Sequence, residues 1–104
     1  MKIDLQTEWE YIPHWKDNRK KKKEDQVVVV FRQLSGKDLT EIMDDDGKID
    51  KYKDWMASCK EVRNLEVNKI SITPEGLFNQ PGLLDLFIEC KTALRDGLKL
   101  DKKK

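Results

Sequence analysis

The chain has 104 residues, the size of one domain, with 39% charged and 38% hydrophobic residues and a mean hydropathy of -0.78. Acids and bases nearly cancel, 20 against 21, for a formal net charge of +1, so no global attraction to nucleic acid or membrane is expected. No apolar run approaches the ~20 residues of a membrane span, and Met1-Lys2-Ile3-Asp4-Leu5 has no signal-peptide core; a cytoplasmic location is expected.

Thr7-Glu8-Trp9-Glu10-Tyr11-Ile12 alternates and reads as a short strand, ended by Pro13, which has no N–H for a ladder. Trp9, Tyr11 and Trp15 are read as covering the end of a small sheet in preference to forming a ligand cage. A polar connection follows through Arg19-Lys20-Lys21-Lys22-Lys23-Glu24-Asp25, expected as a flexible basic loop near 16–25. Clustered lysines attract phosphate. Here two acids follow at once and no aromatic-interleaved face accompanies them, so a solvated loop is preferred and no nucleic-acid partner is expected. His14 is the single histidine. No serine or cysteine with an orienting acid lies near it in sequence, so no catalytic residue is assigned and no enzymatic activity is expected.

Gln26-Val27-Val28-Val29-Val30-Phe31-Arg32-Gln33-Leu34 is β-branched, short and bounded by polar residues, which favours a strand. Val28, Val30 and Arg32 share one face, and Val27, Val29 and Phe31 the other. Valine on both faces points to the central strand of a small sheet, paired antiparallel with the first strand and packed by helices.

Ser35-Gly36-Lys37-Asp38 has the form of a capping box, and Leu39, Ile42 and Met43 follow at helical spacing. A helix is expected near 37–45, ending in Asp44-Asp45-Asp46-Gly47. That acidic turn resembles a calcium loop, but aligning Gly47 with the invariant glycine puts Ile42 at the first ligand position and Lys53 at the twelfth. It is read as a helix-to-helix turn, with acids at the start of the next helix, and no metal or cofactor is expected. The second helix is expected over 48–63, from the stripe of Ile49, Tyr52, Trp55, Met56, Cys59 and Val62.

Leu65, Val67, Ile70 and Ile72 flank Asn68-Lys69, suggesting a small hairpin or an extended crossing segment. Thr73-Pro74-Glu75 starts a brief helix, with a cap and a first-position proline, interrupted by Asn79-Gln80-Pro81-Gly82. The last helix is expected over 83–95. Its apolar set, Leu83, Leu84, Leu86, Phe87, Ile88, Cys90, Ala93 and Leu94, is wider than one stripe and calls for burial on two sides, within the domain and against a partner. Cys59 and Cys90 are expected as free core thiols, and residues 99–104 as a solvated tail. The chain is thus read as one α+β domain over 1–104, a small antiparallel sheet with three to four packed helices.

The order of these features resembles the tail assembly chaperones of long-tailed, siphovirus-like bacteriophages and prophages. The resemblance runs from about Trp9 to Leu94. It is carried by the Trp9-Glu10-Tyr11-Ile12-Pro13 strand, the Val27 to Leu39 strand-to-helix unit, Lys60-Glu61-Val62-Arg63-Asn64-Leu65, Ile72-Thr73-Pro74-Glu75-Gly76-Leu77 and the apolar last helix. It implies a non-enzymatic, oligomeric protein of the bacterial cytoplasm, absent from the mature virion. Its partners would be the tape measure protein, which it keeps soluble, and the major tail protein, whose subunits it helps recruit. The wide apolar last helix, with Leu83, Leu86, Phe87, Cys90 and Leu94, and the Trp55 and Met56 stripe would offer a partner-binding surface to an amphipathic client; the alternative is that these faces only close the core, and for Trp55 that alternative is preferred. Two alternatives stand beside it: a tail completion or head–tail connector subunit, and a small nucleic-acid-binding regulator using the basic loop.

Overall fold

The computed structural model describes the backbone of residues 1–102 and the side chains of residues 1–96. Within them the chain is α+β, with a three-stranded antiparallel sheet, a two-stranded hairpin and four α-helices. The strands are β1 (Glu8–Tyr11), β2 (Val28–Arg32), β3 (Cys59–Arg63), β4 (Glu66–Val67) and β5 (Ile70–Ser71). The helices are α1 (Gly36–Ile42), α2 (Lys51–Ser58), α3 (Pro74–Asn79) and α4 (Leu84–Lys102). The tail expected over 99–104 is helical backbone as far as Lys102, and the solvation of its side chains lies outside the described residues.

β2 is the central strand, antiparallel to β1 with Trp9 opposite Phe31 and Tyr11 opposite Val29. Val27, Val29 and Phe31 point into the main core. Val30 is also buried, on the opposite face, between its ladder neighbours Glu10 and Glu61. That face carries the cross-strand ion pairs Lys60–Glu8 at 3.0 Å and Arg63–Glu10 at 2.6 Å, with Arg63–Glu61 at 2.7 Å beside them.

The second helix is shorter than expected. It ends at Ser58, and Cys59–Arg63 becomes β3. The strand registers account for the helical spacing of its apolar residues. Phe31 pairs with Cys59, Val30 with Glu61 and Val29 with Val62, so Lys60 is an extra residue at a β-bulge. A bulge restores the facing of the residues on either side of it. Cys59 and Val62, three apart, therefore both face the core beside Phe31 and Val29, a spacing that otherwise marks a helix. Pairing with β3 also occupies the backbone groups on the second edge of β2.

The capping signals hold. Ser35 Oγ accepts from the Asp38 amide at 3.1 Å while Asp38 Oδ2 accepts from the Ser35 amide at 3.0 Å. Those bonds from Ser35, aided by Arg32, hold the Asp38 carboxyl below the usual carboxylate range. Thr73 caps α3, with Pro74 at its first turn. The segment after β3 is a hairpin: Asn68 and Lys69 have φ of 53° and 67°, the two left-handed residues of a tight two-residue turn. The acidic turn is built on Asp44, whose Oδ1 accepts from the amides of Asp46 and Lys48. Gly47 has φ +81°, a conformation that glycine adopts freely. Asp50 caps α2 by accepting from the Lys53 amide at 2.9 Å.

The connection near 16–25 takes 3-10 conformation over Trp15–Lys20, kinked at Lys16 and Asp17 with φ of 49° and 57°, and over Lys23–Asp25. Asn18, with 1% exposure, organises it. Its amide nitrogen donates to the carbonyls of Pro13 and Val27, both at 3.0 Å, and its oxygen accepts from the Val27 amide at 2.7 Å. Gln26 holds the Arg19 and Lys21 carbonyls, and Asn64 holds those of Glu24 and Gln26. Polar side chains thus satisfy this backbone where no strand partner does, which composition alone does not reveal. No helix among the described residues is long and apolar enough to cross a membrane.

Candidate functional site

α4 ties the molecule together. Leu86 and Cys90 form its inner stripe and, with Leu83 just before the helix, are buried in the core with Trp55, Phe31 and Leu77. An unbroken series of ring contacts crosses this core. Trp9 and Tyr11 pack on Phe31, Phe31 meets Trp55 at 6.4 Å, Trp55 meets Phe87 at 4.9 Å, and Phe87 meets Phe78 at 5.4 Å. The Trp55 indole donates to the Pro74 carbonyl at 2.7 Å, so the buried N–H is satisfied.

Glu89, between the inner and outer faces of α4, holds the corner after β1. Its carboxylate accepts from the Tyr11 hydroxyl at 2.6 Å and from the amides of His14 and Trp15 at 2.7 and 3.1 Å. Burial, then the Glu89 carboxylate, pushes the Tyr11 hydroxyl up to about 12. His14 contributes its backbone to this corner and its side chain is exposed.

The partner-binding residues expected from the sequence separate into two groups. Leu83, Leu86, Cys90 and Trp55 are core residues, closed off within this chain. Phe87 and Leu94 are half-buried, and Met56 lies at the surface of α2. The outward apolar side of α4 consists instead of Leu84, 65% exposed, and Ile88, 53% exposed, one turn apart. Both belong to the wide apolar set read from the sequence. Helical phase within that set, with the buried stripe at 86 and 90, separates inner from outer residues.

Beside this side of α4 runs an open groove of about 580 Å³. One wall is α4, with Phe87, Ile88, Lys91, Leu94 and Arg95; the other includes Trp9 of β1, Arg32 at the end of β2, and Gln33 and Leu34 beyond it. Asp54 and Ser58 of α2 reach it too, and Asp54 holds Lys91 at 2.9 Å. Its apolar surface therefore comes from α4, β1 and the exit of β2, with cations along its edges. The sequence placed Phe87 and Leu94 on a partner surface; it gave no sign that Trp9 and Leu34 would complete the opposite wall, because that juxtaposition depends on the packing of α4 across the sheet.

Among the described residues no three histidine, cysteine, aspartate or glutamate side chains are grouped to hold a metal ion. Cys59 and Cys90 are buried free thiols, and burial pushes each up to about 12. Compared with known proteins, the chain matches no protein family, no curated protein and no solved structure.

Proposed function

We propose that the protein is a non-enzymatic tail assembly chaperone of a long-tailed bacteriophage or prophage, working in the host cytoplasm. In this reading it binds the tape measure protein, keeps that long apolar chain soluble and helps bring tail tube subunits to it. One observation carries the reading: the last helix has a second apolar side, with Ile88 exposed and Phe87 and Leu94 half-buried along an open groove, although its inner stripe already closes the core. A groove of this kind suits an amphipathic helix laid along it. The sequence-level resemblance supplies the client. Self-association through the exposed Leu84–Ile88 side is part of the same proposal.

The experiment is co-expression with segments of the tape measure protein of a long-tailed bacteriophage. Wild-type protein should keep a tape measure segment in the soluble fraction and co-purify with it. Ile88→Lys should lose that effect while retaining the circular dichroism spectrum of the wild type, since Ile88 is exposed. A segment that remains equally insoluble with and without the wild-type chain refutes the chaperone reading.

A further inference from the structure

The charges around the groove specify the partner more narrowly. Its edges carry Arg32, Lys91 and Arg95, against the single acid Asp54. Lys91 and Arg95 are one helical turn apart on α4, so they lie on the same side of the helix. Arg95 is exposed, Lys91 is held by Asp54 at 2.9 Å, and Arg32 stands on the opposite wall, 3.7 Å from Asp38. The α4 wall runs from Phe87 to Arg95, a length of about 12 Å at ~1.5 Å per residue, which matches about two turns of a partner helix.

Resting on the groove reading above, we propose that the groove binds an amphipathic helix with an acidic flank. Two turns of its apolar face lie against Phe87, Ile88 and Leu94, and carboxylates one turn apart face Lys91 and Arg95. The chain as a whole has a net charge of only +1, so the preference is local to the groove. Such charges at an interface rim act mainly on partner choice and association rate, and they weaken with salt. A client acid facing Lys91 also competes with Asp54, which makes Arg95 the cleaner contributor.

The test uses two synthetic helical peptides of about 18 residues with the same leucine face, one flanked by glutamates and the other by lysines. Binding to the full chain is followed by fluorescence anisotropy of labelled peptide. At low salt the glutamate peptide should bind more tightly, on the order of tenfold, and the gap should shrink at high salt. Arg95→Glu should narrow or reverse the preference without altering the fold. Lys91→Glu should act in the same direction, but it also places two acids together at Asp54, so its circular dichroism spectrum is recorded alongside. Equal affinity of both peptides, or a preference unmoved by Arg95→Glu, overturns the acidic-helix proposal and leaves the groove reading standing. Binding of neither peptide overturns both.

Discussion

Replacing Asn18 by alanine tests whether one buried amide organises the connection between β1 and β2. The side chain donates to the Pro13 and Val27 carbonyls and accepts from the Val27 amide. The substitution leaves one buried N–H and two buried carbonyls short of their partners. At about 1 kcal/mol for each such loss, the expected destabilisation is about 3 kcal/mol. For a domain of this size, that lowers Tm by about 12–24 °C. A thermal melt followed by far-ultraviolet circular dichroism reads it directly. Asn18→Asp adds a sharper criterion. It keeps an acceptor for the Val27 amide but turns a carboxylate oxygen toward two carbonyls. It should therefore be no more stable than Asn18→Ala near neutral pH, and should gain on it as pH falls toward ~4, where the carboxyl acquires a proton to donate. An Asn18→Ala protein melting within ~3 °C of wild type refutes the reasoning and makes the connection incidental to stability.

Three further outcomes are expected. Leu86→Lys places a charge at a fully buried site and should unfold the domain, whereas Ile88→Lys should keep its stability to within ~0.5 kcal/mol in a chemical melt; equal losses would mean that the two sides of α4 are misassigned. Cys59 and Cys90 are raised from 9.0 to about 12, and Tyr11 from 10.0 to about 12. The folded state therefore holds their protons more tightly than the unfolded chain, so stability is full below pH 9.0 and declines as pH rises from there towards about 12; urea midpoints unchanged between about pH 8.5 and about pH 10.5 would contradict this. Calcium should leave Tm unchanged, because the Asp44 carboxylate is already engaged with the Asp46 and Lys48 amides and ligand binding to the native state would otherwise raise stability; a saturable rise on titration would show a site in this turn.

Local rules made much of the fold legible. Four valines before Phe31 read as the central strand, and Ser35 with Asp38, and Thr73 with Pro74, marked helix starts that the structure contains. The failures lie where a long-range partner decides. The bulge at Lys60 gives Cys59 and Val62 helical spacing within a strand. Asn18 is indistinguishable from any polar loop residue until Pro13 and Val27 are brought to it. For the groove, sequence width showed that α4 has more apolar surface than one stripe. It did not say which residues face outward, since Leu84 and Leu86 differ only by helical phase relative to the sheet.

Phe87 belongs to both the core and the groove. It packs edge-on against Trp55 at 4.9 Å and Phe78 at 5.4 Å, and it also lines the groove. The α4 wall of the groove is thus, at Phe87, a continuation of the core ring series. A partner that docks there orders fewer side chains than it would on a surface of flexible residues, and each side chain left free to order costs about 0.5–1.5 kcal/mol on binding. The same fact makes Phe87 a poor probe: truncating it opens a cavity beside Trp55 and reduces binding through lost stability as well as lost contact. Ile88 and Arg95 line the groove from exposed positions on α4, outside the ring series, so their substitutions report on recognition alone.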